Sequence, residues 1–358
     1  MLSRQEWMHR CNAALDWLIR SIEATGDRGS AHHFSPFWGW APAYPETSGY
    51  LIETLLRFDA IFPEKQLREH ALRLARWLTE IQLKNGAFPG GKLGRPSPAP
   101  SVFNTSQILF GLSACLPLEM HPEVLESSIR RALVWLLEQL DADGAWRKAA
   151  YVEGFTPAYY TRAVWAVLVA DKSIQDLETK GVMHEALGFY ARRFLPNGAV
   201  QAWGFRPGER AFTHTIAYTL EGFLESALIL QDSQVSEQVL HSAKTLYRQV
   251  QHEGGRVAGR YDEQWRGDYS FVCVTGLAQL SVLYTRLAQE AQVPEFEQFA
   301  NDLLQKALDA QYLGGIKGAY GALPGSRPFW GPYLRFRYPN WAAKFFLDAM
   351  WMRRPALF

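Results

Sequence analysis

Cysteine is scarce. The three in 358 residues, Cys11, Cys115 and Cys273, are too few and too far apart for a disulfide framework, and none forms a CxxC pair of the kind that binds a metal. They read as buried apolar thiols. Excess charge of one sign is missing too: 37 Lys and Arg against 36 Asp and Glu leave a formal net charge of +1, no field for nucleic acid or an anionic membrane. No apolar stretch reaches membrane-spanning length without charges, and the first ten residues carry Arg4, Glu6 and Arg10 where a secretory signal would be apolar. The expectation is a cytoplasmic protein. HExxH, GxxxxGK[ST] and GxSxG do not occur, which leaves metalloprotease, P-loop and serine-hydrolase chemistry without support.

What the sequence does have is a repeat. The segment from Ala43 to Leu56 returns in weaker copies beginning near Val102, Ala158, Phe212, Gly267 and Tyr338. Aligned as one column, Glu46, Asn104, Tyr160, His214, Tyr269 and Asn340 are separated by steps of 58, 56, 54, 55 and 71 residues. A near-constant period denotes a repeat architecture. Each copy opens an apolar stretch suited to a buried helix, and each stretch is preceded by a one-faced amphipathic helix. The amphipathic helices are expected at residues 4 to 24, 64 to 84, 121 to 140, 173 to 194, 233 to 250 and 293 to 312. Glycine turns at Gly86, Gly144, Gly198, Gly255 and Gly315 close the last five of them.

Six helical hairpins with apolar inner members pack most economically as a closed (α/α)6 toroid: inner helices parallel in a ring, outer helices antiparallel around them. The fold class is therefore all-α, and with no linker in sight residues 1–358 are expected to form one domain. The longer last step places its excess in residues 319 to 333, and long ordered loops are more often functional than not.

In such a ring the inner helices all start at one end, so the column residues converge on a common mouth, together with the positive ends of six helix dipoles. Thr47, Thr105, Thr161, Thr215 and Ser270, one position further on, are explained as caps and first-turn hydrogen bonders. Capping does not explain six polar or ionisable side chains in the column itself. Trp38, Trp40, Trp146, Trp203, Trp265 and Trp330 fall on loops that enter inner helices, where flat rings suit sugar faces. Trp7, Trp17, Trp77 and Trp135 lie in outer-helix patterns and are expected in the core. Arg162, Arg260, Arg266, Arg335 and Arg337 border the same region, and an arginine there can hold a carboxylate bidentately.

With these features the sequence resembles the α/α-toroid enzymes: the six-hairpin glycosidases, the terpenoid cyclase and prenyltransferase fold, and the toroid domain of glucuronyl C5-epimerases and their relatives near bacterial polysaccharide genes. The run from Gln82 to Phe88 is similar to the glutamine-and-glycine repeat of prenyltransferases and cyclases. The run from Tyr44 to Tyr50 resembles a Tyr-Pro-Glu segment of the epimerase-like toroids. Two departures narrow the choice. Asp141-Ala142-Asp143-Gly144 ends an outer helix instead of supplying the Asp-x-Asp-Asp acid of a cyclase, and Asp268-Tyr269-Ser270 lacks the thiolate of a zinc prenyltransferase, with Cys273 expected a turn inside its helix. No metal and no cofactor is expected.

The resemblance implies a carbohydrate-active enzyme acting on a uronic-acid-containing oligo- or polysaccharide. In an epimerase or lyase, Glu46 or His214 would be the base, Tyr44, Tyr160 or Tyr269 the phenol on the other face, and Arg162 or Arg337 the carboxylate clamp, with Asn104, Asn340 and Tyr338 among the substrate contacts. In a hydrolase, Glu46 and Asp268 would be the carboxylate pair, retaining at roughly 5 Å separation and inverting at roughly 6.5 to 9.5 Å. The alternatives are a non-catalytic module that binds a glycan or a protein, and an isoprenoid-binding toroid whose mouth would be apolar and aromatic without paired ionisable groups.

Overall fold

A computed structural model describes residues 2–94, 99–175 and 177–354. Among the described residues there are twelve α-helices: α1 (Arg4–Glu23), α2 (Pro45–Phe58), α3 (Leu67–Ile81), α4 (Val102–Cys115), α5 (Pro122–Glu138), α6 (Thr161–Ile174), α7 (Lys180–Ala191), α8 (Thr213–Leu230), α9 (Ser233–His252), α10 (Val274–Ala291), α11 (Pro294–Leu308) and α12 (Asn340–Met352). Several begin where local chemistry dictates. Proline opens α2, α5 and α11, where a missing N–H costs nothing, and Ser3, Ser101 and Asp232 accept from free amides of α1, α4 and α9.

The two kinds of helix bury themselves as their patterns require. Helix α3 hides Leu67, Ala71, Leu74 and Leu78 and turns Arg68, Glu69, Arg73 and Arg76 to solvent, whereas α4 buries every residue except Ala114. The even-numbered helices form the inner ring: α2 packs on α4, α4 on α6, α6 on α8, α8 on α10, α10 on α12, and α12 back on α2. Odd-numbered helices from α3 to α11 lie outside, each in the groove between two inner ones, and α1 covers α12. This is the expected closed (α/α)6 toroid. The inner helices come close because small residues meet there; a Cβ added to Gly222 would lie 2.5 Å from the backbone nitrogen of Arg162, and one at Gly276 would lie 2.2 Å from Oγ1 of Thr213.

Short strands gather the loops that lead into the inner helices. Strand β1 (His33–Ser35) pairs with both β2 (Gly39–Trp40) and β8 (Tyr338–Pro339), which ties the first hairpin to the last at the mouth. Strands β3 (Ala211–Phe212), β4 (Arg260–Tyr261) and β5 (Gly267–Asp268) form a second sheet, and β6 (Val272–Cys273) pairs with β7 (Ser326–Arg327).

Three expectations from the sequence need correction. The helix expected over 173–194 is α7, and it begins only at Lys180, because α6 runs to Ile174 and the Asp171 carboxylate then accepts from the amides of Leu177 and Thr179 and the Thr179 hydroxyl at 2.8–2.9 Å, turning the chain. The last glycine turn is not Gly314-Gly315. In earlier hairpins Leu83 N bonds Ala87 O, Asp141 N bonds Ala145 O and Leu195 N bonds Ala199 O, and the same bond here runs from Tyr312 to Ala322, with Gly321 at φ +91°. Part of the excess therefore lies between Tyr312 and Gly321, ahead of most of the 319–333 stretch. Lastly, Cys273 is not inside a helix: it ends β6 and precedes α10, so Tyr269 lies five residues before its helix while Glu46 and His214 are each second in theirs. Thr275 holds that second position in α10.

Candidate active site at the mouth of the ring

Two column residues, Glu46 and His214, share a set of neighbours at the mouth. Pro45 opens α2 and leaves Tyr44 just outside it, from where the Tyr44 hydroxyl donates to Glu46 Oε2 at 2.6 Å. Burial pushes the Glu46 carboxyl up to about 7, while the Tyr44 hydrogen bond and the charge of Arg162 hold it back. His214, in the first turn of α8, has its ring 4.3 Å from that of Tyr218 and 5.5 Å from that of Tyr333, and its Nδ1 lies 2.6 Å from Gln279 Oε1. Burial drives its pKa down to about 3, so the ring is neutral at physiological pH; the bond to Gln279 opposes this shift and Arg162 adds to it. Tyr218 and Tyr333 also lie within the field of the Glu46 charge. Both side chains are nearly shut off from solvent: Glu46 keeps 7% of its surface exposed and His214 keeps 4%.

Arg162 sits beneath them. Its guanidinium lies 4.6 Å from the Tyr218 ring centre, donates through Nε to Gln107 Oε1 at 2.9 Å, and forms an ion pair with Glu221, whose carboxyl burial pushes up and Arg162 pulls down. Being already paired, it supplies fixed positive charge to the floor of the site. Arg337 is different: among the described residues its buried Nε has no hydrogen-bond partner, and its charge bears on His32 and His33. These two rings meet Nδ1 to Nδ1 at 2.7 Å, and His32 packs between Tyr44 and Trp341. Burial lowers both imidazoles, His33 to about 4, so both are neutral near pH 7.

The other expected site residues divide. Asn104 donates to Pro89 O, Asn340 donates to Ser30 Oγ and Thr47 Oγ1, and the Tyr160 hydroxyl accepts from the Tyr151 amide, so all three tether loops at the rim. Tyr269 is drawn away, under the Arg256 guanidinium and beside a cavity of about 250 Å³ against α10 and α11. Asp268 is held by Arg260 and by the Ser270 hydroxyl, which keep its carboxyl below the usual range, and so does not stand as a free partner to Glu46. Arg266 is likewise paired, with Asp262, and Arg335 is exposed.

The tryptophans divide in the same way. Trp146, Trp203 and Trp265 are plugs, nearly shut off from solvent: Trp146 donates to Leu136 O of α5, Trp265 donates to Asn197 O, and Trp203 stands edge-on to Trp265 at 5.1 Å. Trp40 leans on Trp17, and Tyr338 is buried against Phe329. Trp38 and Trp330 are open, at 71% and 63% exposure, and Trp38 is joined through Phe37 to Phe336. Among the described residues no group of three or more His, Cys, Asp or Glu is placed to hold a metal, and no helix is long and apolar enough to cross a membrane.

Sequence reasoning missed Tyr218, Tyr333, His32, Trp341 and Gln279. A signal existed for Tyr218, which follows His214 by four residues and so shares its helix face. Tyr333 lies in the long loop singled out for its length, and its hydroxyl accepts from Trp341 Nε1 at 2.9 Å. Nothing in the sequence distinguishes Gln279.

No family model matches this sequence and no curated protein matches it. The fold does have solved counterparts. The unsaturated glucuronyl hydrolase of Bacillus sp. GL1 is similar at 16% identity and TM-score 0.71, with 96% of each chain covered. An unsaturated glucuronyl hydrolase specific for heparin is similar at 15% identity and TM-score 0.73, also with 96% of each chain covered. The cellobiose 2-epimerase of Bacillus thermoamylovorans B4167 is similar at 11% identity and TM-score 0.73, covering 98% of this chain and 99% of its own. The chain thus has the α/α-toroid fold found in glycosidase and epimerase enzymes.

Proposed function

We propose that the chain is a carbohydrate-active enzyme that moves a proton on a uronic-acid-containing oligo- or polysaccharide at this mouth. The observation that carries the reading is one carboxyl titrating near 7, Glu46, whose charge reaches the two tyrosines, Tyr218 and Tyr333, that pack on a neutral imidazole, His214. A carboxyl whose pKa lies near the operating pH suits proton transfer at neutral pH, while the neutral imidazole is too weak a base to take a carbon-bound proton and suits the role of a hydrogen-bond acceptor beside it. Glu46, as its carboxylate, removes the hydrogen from C5, alpha to the sugar carboxylate, giving an enolate. Return of a proton to the opposite face inverts C5; loss of the C4 oxygen substituent leaves a double bond instead. Arg337 is the carboxylate clamp in this reading, since its Nε has no partner among the described residues while Arg162 is engaged with Glu221. Tyr44 delivers or withdraws a proton through Glu46. Trp38 and Trp330 supply exposed faces for sugar rings outside the mouth.

A second reading is favoured by the names of the solved counterparts: hydrolytic release of an unsaturated glucuronyl residue. An enol-ether double bond needs one acid to protonate it before water adds, and Glu46 meets that need. The two-carboxylate hydrolase built on Glu46 and Asp268 is the weakest version, because Asp268 is committed to Arg260 and Ser270. The non-catalytic reading uses the same mouth as a receptor.

The test is NMR of uronic-acid polymers and of their unsaturated oligosaccharides in deuterated water, with wild type and Glu46→Gln. Deuterium at C5 or a new C4–C5 double bond, loss of an existing double bond, and no change lead to the first reading, the second, and a binding module. If an altered glycan is altered equally by Glu46→Gln, Glu46 is not the acid or base.

A further inference from the structure

We propose that Gln279 is a positioning residue that fixes His214 in the Nδ1–H tautomer, so that the lone pair of Nε2 is the one presented at the mouth; this rests on the reading of His214 as a substrate-facing group of the proposed site. Gln279 lies in the second turn of α10, 1% exposed, and its Oε1 is 2.6 Å from His214 Nδ1. An amide oxygen only accepts, so a contact that short places the imidazole proton on Nδ1. A neutral imidazole has one such proton, and Nε2 must then be bare. It makes no hydrogen bond among the described residues and is not among the buried polar atoms left without a partner, so what exposure His214 retains reaches this nitrogen.

The backbone enforces the alignment. Gly276, three residues before Gln279, lies where an added Cβ would be 2.8 Å from His214 N and 2.2 Å from Thr213 Oγ1, so α10 and the start of α8 are in contact and neither can rotate freely. Turning the Gln279 amide over would donate to Nδ1 and force the imidazole proton onto Nε2, where no protein acceptor waits for it. In the orientation present, the amide Nε2 of Gln279 is buried without a partner among the described residues. Such a donor fits a ligand oxygen beside His214.

The test uses full-length protein with ¹⁵N-labelled histidine and long-range ¹H–¹⁵N correlation, with His214 assigned by its absence in His214→Gln. Wild type is expected to show a protonated Nδ1 and a bare Nε2. Gln279→Met removes the acceptor and is expected to shift the ring toward the Nε2–H tautomer; Gln279→Glu keeps an acceptor and is expected to hold Nδ1–H, which also serves if Gln279→Met does not fold. A wild type carrying its proton on Nε2, or a Gln279→Met protein with an unchanged tautomer, overturns the proposal. Where a glycan is turned over, Gln279→Met should lower kcat by about a hundredfold with KM nearly unchanged, and Gln279→Glu should recover part of the loss. If no glycan is altered, the functional reading fails while the tautomer measurement still decides this one.

Discussion

Replacing Glu46 with glutamine should stabilise the protein at alkaline pH and leave it unchanged in acid. In the fold the Glu46 carboxyl titrates at about 7, against an ordinary value of 4.5, because burial penalises its charged form more than Tyr44 and Arg162 favour it. The folded state therefore holds this proton through a window where the unfolded chain has released it. Glu46's contribution is fully present below pH 4.5 and is lost as pH rises through 7, and the gap between those values corresponds to about 3 kcal/mol at pH 8. Glutamine keeps the shape and the ability to accept from Tyr44 and never ionises. Urea unfolding of both proteins at pH 4.5 and pH 8 should show equal stabilities at the lower pH and an advantage of about 2–3 kcal/mol for Glu46→Gln at the higher. Because the comparison is between two proteins at one pH, titration of other groups, including His214, cancels. A pH-independent difference between the two would mean that Glu46 is ionised with an ordinary pKa, and the assignment of an acid poised near neutrality would fall.

Other consequences are as direct. His214 is held neutral by burial, its pKa about 3 in the fold against 6.5, so wild type should lose stability as pH falls from 6.5 toward 3, and His214→Gln should remove that part of the acid sensitivity in the same unfolding assay. Gly276→Ala should cost about 1–3 kcal/mol, since its methyl would meet Thr213 Oγ1, and should perturb the His214 resonances more than those of distant histidines such as His121. Trp146→Ala should cost about 3–5 kcal/mol, whereas Trp38→Ala should change stability by less than about 0.5 kcal/mol and weaken glycan binding, measured by titration calorimetry. Equal effects of the two tryptophan changes on stability would refute the division into plugs and platform.

How far the site was legible depended on helix register. Glu46 and His214 are each the second residue of an inner helix, so a column drawn through the repeat found them. The same column went astray at Tyr269, because β5 and β6 occupy the chain there and delay α10 to Val274, an insertion that spacing does not reveal. Trp146, Trp203 and Trp265 resemble Trp38 and Trp330 in sequence, each lying on a loop ahead of an inner helix. Whether such a ring faces water is settled by where its indole N–H finds a carbonyl: Leu136 O for Trp146 and Asn197 O for Trp265. Gln279 was out of reach, since a glutamine inside a buried helix carries no sign of the partner it meets 65 residues away.

By itself the sequence determined the twelve helices, their alternation between one-faced and wholly apolar, and the closure into a ring, because period and burial are properties of contiguous residues and each hairpin repeats the same problem. Only the tertiary structure decided which polar groups meet. The pKa of Glu46 comes from burial at a rim built by several loops, Arg162 is neutralised by Glu221 from the next inner helix, and the orientation of His214 is set by a glutamine two helices further along the chain. Those are effects of low dielectric and of distances across the ring, and linear order carries neither.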